Sequence, residues 1–258
     1  MNKLSFVASM LMMCLPMTMM AQKNGAKAQD KPDPNFQIYL CFGQSNMEGN
    51  ANIEDIDRTG VNPRFMAMYA VDDEKAGWKK GQWHTAVPPQ ARPTTGLTPV
   101  DYFGRKMVDN LPDSIKVGTI TVAVGGASID LFDKRTCKAY LKKQPDWMKN
   151  FASQYNGNPY ARLIELAKIA QKQGVIKGIL LHQGETNNGD VNWPNRVKTV
   201  YNDILKELHL KAEDVPLLVG ETVQKDQGGI CWKHIAIVDD IAKTIPTAHV
   251  ISSKGCPQ

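Results

Sequence analysis

Five short apolar runs stand out along the chain: 36–42 (FQIYLCF), 116–124 (KVGTITVAV), 176–182 (IKGILLH), 215–220 (VPLLVG) and 248–252 (AHVIS). They are β-branched or Leu-rich and mostly lack strict alternation, the pattern of strands covered on both faces. Between them apolar residues recur at helical spacing. Residues 98–111 open with Thr98 and Pro99, a helix-start pair. Residues 158–174 carry apolar side chains at 163, 164, 166, 167 and 170 and end on Gly174. Further helical patterns cover 194–210 and 231–245. Strand–helix alternation of this kind predicts a parallel sheet of about five strands with helices on both faces and right-handed crossovers. Segments 50–97 and 127–157, which hold Trp78, Trp83 and Trp147, read as long ordered loops. There is no internal repeat and no sign of a second domain.

The first 21 residues differ from the rest. Lys3 precedes an apolar stretch interrupted by Pro16, and Ala21 is followed by polar sequence. That is the pattern of a cleavable secretory leader, too short for a membrane span. Cys14 does not make a lipoprotein signal, because Met13 stands where a small residue is needed. The expected division is a signal peptide at 1–21, a polar linker at 22–34 and one domain at 35–258. The expected location is periplasmic or secreted, with no membrane attachment after cleavage.

Composition narrows the function classes. Net charge is +5, or +4 once Lys3 leaves with the leader, and the basic residues form no block, so nothing points to nucleic acid. Cysteine and histidine spacings match no metal site, and no cofactor is implied. Of the four cysteines after the leader, Cys41 lies in an apolar run and reads as core. Export permits a disulfide, and Cys231 with Cys256 is a pairing that the sequence leaves open.

Candidate chemistry sits where three of the runs end: FGQSNMEG (42–49), VAVGGASI (122–129) and LHQGETN (181–187). In a parallel sheet, chemistry gathers at the carboxyl ends of the strands. Taken one at a time, each motif has an ordinary structural explanation: Ser45 as a helix cap, Gly125 and Gly126 as a turn, Gln183 and Glu185 as caps of the element beyond. Together they make an acyl-transfer site. Ser45 is the nucleophile, Gly125 and Gly126 have no side chain to shield a backbone N–H from a developing oxyanion, and Gln183 offers a neutral side-chain N–H. Asn46, Glu48 and Glu185 are supporting polar residues, and His84 in the long loop is a candidate substrate contact. The motif is not the G-x-S-x-G elbow, since Met47 occupies the place of the second Gly.

These three blocks resemble blocks I, II and III of the SGNH hydrolases, in the sialate O-acetylesterase-like branch that includes carbohydrate esterase family 6. The resemblance runs from residue 36 to the end of the chain. It implies a flavodoxin-like three-layer α/β/α fold and removal of O-acetyl groups from sugars without a cofactor. It also implies an oxyanion hole of the Ser45 and Gly126 N–H groups with Gln183 in place of the usual Asn. The family's base and orienting acid come from an Asp-x-x-His motif after the last strand, whereas this sequence finishes at VISSKGCPQ (250–258).

None of the five histidines reads as a substitute. His249 starts its strand, alternation turns His182 to the other sheet face, His209 and His234 lie on helices, and His84 is on a loop. Glu185 is too weak a base to activate a serine near neutral pH. The expectation is therefore a fragment of an esterase with reduced turnover, its last sheet face partly bare. The leading function is a secreted carbohydrate O-acetylesterase acting on a xylan-like or sialic acid-like glycan. The alternatives are a non-catalytic binder of acetylated glycans and a lipase or thioesterase of the same superfamily. The tryptophans of the long segments are candidate sugar platforms, although packing is the ordinary explanation for any single one.

Overall fold

The computed structural model describes residues 31–256. The leader and most of the linker lie outside the described residues. Seven strands form one sheet: β1 (Phe36–Gly43), β2 (Phe65–Met68), β3 (Trp83–Thr85), β4 (Lys116–Ala123), β5 (Val175–His182), β6 (Leu217–Gly220) and β7 (Ala248–Ile251), in the order β3-β2-β4-β1-β5-β6-β7. All neighbours are parallel except β2 and β3. The five strands expected from the apolar runs are β4, β1, β5, β6 and β7. Renumbered among themselves they run 2-1-3-4-5, the flavodoxin-like order.

The count of about five strands is corrected to seven. β2 and β3 arise inside the segment read as a loop, where they extend the β4 edge. Each is only three or four residues long, and pairing rather than local pattern makes it a strand: Phe65 to Met68 align with Val117 to Ile120, and Trp83 to Thr85 fold back on Met66 to Met68.

Helices α1 (Ser45–Glu48), α2 (Asp55–Arg58), α3 (Pro99–Asn110), α4 (Cys137–Lys142), α5 (Asp146–Ser153), α6 (Pro159–Ala170), α7 (Trp193–Glu207), α8 (Ile235–Asp239) and α9 (Ile241–Thr244) complete the layers. α4 and α5 replace the loop expected at 127–157. Thr98 caps α3 by accepting from the Val100 N–H, with Pro99 in the first turn, and Asn158 caps α6 through the Ala161 N–H. The helix expected over 231–245 is broken into a 3₁₀ turn, α8 and α9, yet its buried positions His234, Val238, Ile241 and Ile245 keep helical spacing across the break.

Two cores lie on opposite sheet faces. Alternation along β1 sends Ile38, Leu40 and Phe42 to the larger one, with Leu163 and Leu166 of α6 and Val200 and Ile204 of α7. Tyr39 and Cys41 face the smaller one, with Val100 and Val108 of α3. The second face thins beyond β5, where Leu180 and Leu218 are half-buried and Ile251 is 54% exposed. Cys41 is buried as expected. The open Cys231–Cys256 pairing is not made, all four described cysteines being free. Among the described residues no helix is long and apolar enough to cross a membrane.

Candidate active site

Strand register brings the three motif loops together. Gly43, at the end of β1, pairs with Ala123 of β4 on one side and His182 of β5 on the other. The three loops therefore leave the sheet at one level, side by side, on its carboxyl rim. The corner at Gly43 requires glycine, because a Cβ there would stand 2.1 Å from the His182 carbonyl oxygen. The Gln44 N–H then donates to that same carbonyl at 3.1 Å, and the chain turns into α1 with Ser45 at its first position.

Ser45 and the glycine pair meet. A Cβ on Gly125 would lie 3.8 Å from the Ser45 Cβ and 2.9 Å from Glu48 Oε2. The Gly125 N–H donates to Glu48 Oε2 at 3.1 Å, and the other Glu48 oxygen accepts from the Arg92 guanidinium. Burial raises the Glu48 pKa, against the pull of Arg92 and the Gly125 N–H. On the far side of the turn the Gly126 carbonyl accepts from Thr186 Oγ1 at 3.0 Å. Gly126 itself sits at φ +69°, in left-handed backbone that suits glycine. The turn is thus held at both ends, while the N–H groups of Ser45 and Gly126 donate to no described residue. An acyl oxygen needs such preorganised, unspent donors.

Gln183 is corrected in role. It has no exposed surface, and its Nε2 donates to Asn187 Oδ1 at 2.7 Å, Gln44 Oε1 at 3.1 Å and Ala127 O at 3.2 Å, while its Oε1 accepts from the Trp193 indole. Three acceptors surround two N–H bonds, so no donor is left for a ligand. Gln183 instead ties all three loops to α7. Gln44 Oε1 also accepts from the Gly184 and Thr186 N–H groups. Asn46 Nδ2 donates to Glu185 Oε1 at 2.8 Å, and His182 Nδ1 stands 3.7 Å from that oxygen. Glu185 Oε2 and His182 Nδ1 are buried without hydrogen-bond partners among the described residues.

His84 is also corrected. It lies on β3, three strands from β1 and so roughly 14 Å away at the usual strand spacing. There its ring stacks on Trp78 at 5.0 Å. His234 is packing, fully buried over Gly184 and edge-on to Trp193, and burial lowers its pKa.

A cavity of about 710 Å³ opens beside Ser45, lined among others by Glu48, Arg92, Gly125, Gly126 and Phe151. No histidine lines it, and Ser45 Oγ makes no hydrogen bond among the described residues. Sequence reading missed Arg92, whose Pro- and Thr-rich surroundings carry no local cue, as well as Gln44, Trp193 and Phe151.

Fold and rim together define an α/β protein whose serine-bearing loop emerges at the switch point of a parallel sheet. Residues 35–258 match the family model described as "Carbohydrate esterase, sialic acid-specific acetylesterase", and the chain belongs to that family. A protein from Arabidopsis thaliana shares the fold at TM-score 0.62 and 19% identity over 88% of both chains. NanS does so at 0.59 and 16%, covering 88% of this chain and 80% of that one. A carbohydrate acetylesterase from Xanthomonas citri matches at 0.57 and 20% over 86% of this chain, which spans 51% of the larger protein.

Proposed function

We propose that this chain hydrolyses O-acetyl esters on carbohydrate, with Ser45 as the nucleophile. The observation that carries the reading is the level exit of three loops from β1, β4 and β5, which sets Ser45 against Gly125 with two unspent backbone N–H groups beside it. Family membership supports the ester class and an acetylated sugar as substrate.

In this mechanism Ser45 Oγ attacks the acetyl carbonyl as its proton passes to solvent water, and the oxyanion of the tetrahedral intermediate lies between the Ser45 and Gly126 N–H groups. Each such donor is worth about 2.7–4 kcal/mol of barrier. On collapse the sugar oxygen takes a proton from water and leaves as the hydroxyl, and acetyl-Ser45 remains, which water then hydrolyses to acetate and free Ser45. Glu48 is a positioning residue: its carboxylate holds the Gly125 N–H, in the peptide immediately before the one that carries the Gly126 N–H. The polar lining, which includes Asn50, Asn52, Thr94 and Thr95, suits a sugar better than an acyl chain. The apolar leader supports a further proposal, export from the cytoplasm.

Acetate release from O-acetylated xylo-oligosaccharide and from O-acetylated sialic acid tests the reading. Ser45→Ala is expected to abolish release from whichever is the substrate. A second reading, an acetyl-glycan binder without turnover, draws on the histidine-free lining of the cavity. Glycan binding without acetate release, unaltered by Ser45→Ala, would favour it.

A further inference from the structure

The five tryptophans divide by environment. Trp193 is fully buried and bonded to Gln183. Trp78 stacks on His84 at 5.0 Å, and Trp83 packs edge-on to Phe36 at 4.8 Å. Trp232 is 36% exposed, but the Lys225 and Lys233 ammonium groups cover its ring at 4.9 and 5.7 Å. Trp147 is different. It is 48% exposed, and its Cη2 lies 2.9 Å from where a Gly126 Cβ would stand. A large indole left in water against the glycine of the candidate oxyanion turn is unusual placement for a packing residue.

Helix α5 makes the rest of the wall. Phe151 follows Trp147 by four residues, on the same helix face, with ring centroids 5.9 Å apart at 66°. Phe151 lines the cavity beside Ser45 and is capped by the Arg92 guanidinium at 4.3 Å. Phe151 lines the cavity, while Trp147, the more exposed ring, lies outside the lining and against its residue Gly126.

We propose that Trp147 is the stacking platform for the sugar ring that bears the acetyl group. A pyranose presents C–H bonds on one face and hydroxyl groups at its edge. The indole covers the first while the polar lining of the cavity, Asn50, Asn52 and Thr95 among it, faces the second. Gly126 links the two halves of the site: its N–H receives the acyl oxygen and its α-carbon carries the indole against it. The inference rests on the esterase reading for the position of the acetyl group, and on Trp147 alone for the sugar.

The test compares kcat/KM on an acetylated oligosaccharide with kcat/KM on 4-nitrophenyl acetate, which has no sugar. Trp147→Ala is expected to lower the ratio of the two by about tenfold, the scale of one lost aromatic contact, mainly through KM for the glycan. Trp147→Phe should recover most of the loss. A ratio unchanged in Trp147→Ala overturns the proposal. If the wild-type chain releases acetate from neither ester, the esterase reading fails by itself. Calorimetric titration with the acetylated oligosaccharide then decides the platform, which requires binding weakened about tenfold by Trp147→Ala and is refuted by equal affinities.

Discussion

Replacing Gln183 by Met keeps roughly the same length of side chain and removes every hydrogen bond it makes. Gln44 Oε1 would retain the Gly184 and Thr186 N–H groups, and Asn187 Oδ1 would retain the Ile129 N–H at 3.0 Å. Two partners would be stranded in the interior, the Trp193 indole N–H and the Ala127 carbonyl, each of which has only Gln183 among the described residues. A buried polar group left without a partner costs about 1–3 kcal/mol, so the substitution should destabilise the fold by about 4 kcal/mol. Against a total of about 5–15 kcal/mol for a domain, that is a large share. With a urea slope of about 2–3 kcal/mol/M, the midpoint followed by tryptophan fluorescence should fall by about 1.5 M. The activity arm separates the two roles. A residue that only fixes the loops should cost less than about a hundredfold in kcat of the folded protein, whereas an oxyanion donor costs about 10²–10³. An unchanged midpoint with kcat down by that larger factor would refute the buried-hub account and return Gln183 to the oxyanion hole.

Three further predictions follow from the same geometry. Gly43→Ala should cost more than about 3 kcal/mol and largely prevent soluble expression, since its Cβ meets backbone 2.1 Å away and not a movable side chain; a midpoint within about 0.5 kcal/mol of wild type would contradict the corner. His234 is buried with both ring nitrogens unpartnered among the described residues, and burial lowers its pKa, so the unfolded chain binds the extra proton. Its contribution is full above the unfolded value of about 6.5 and is lost as pH falls from there toward the folded value. In His234→Phe, stability measured between pH 7 and 5 should fall less steeply than in wild type, and an identical slope would count against the assignment. Because no histidine lines the cavity, added imidazole should accelerate acetate release by wild type and not by Ser45→Ala; equal acceleration of both would mean that the reaction bypasses the serine.

The five strands β1, β4, β5, β6 and β7 were legible because each falls in an apolar run with turn signals at both ends. Their joint level at the carboxyl rim followed from parallel pairing. β2 and β3 were not legible, since FMAM and WHT become strands only through partners about 50 and 20 residues away. The broken helix at 231–245 kept its buried stripe, so periodicity found the face but not the interruption near Asp240. That Ser45 and the two glycines lie side by side was readable because parallel register sets the level at which their loops leave the sheet. The direction of an amide side chain is another matter. Whether Gln183 points into the cavity or away from it is decided by Gln44, 139 residues distant, and by Trp193 on α7. His84 was misplaced for the same reason, its segment being a sheet edge and not a loop over the pocket.

The central claim is that Ser45 Oγ and the Ser45 and Gly126 N–H groups address one acyl centre. A crystal structure of the protein after reaction with a methyl fluorophosphonate tests it most directly. The account predicts phosphorus bonded to Ser45 Oγ, with one phosphoryl oxygen about 2.7–3.1 Å from both backbone nitrogens. Phosphorus on another residue, or an adduct on Ser45 whose oxygens approach neither nitrogen, would contradict it.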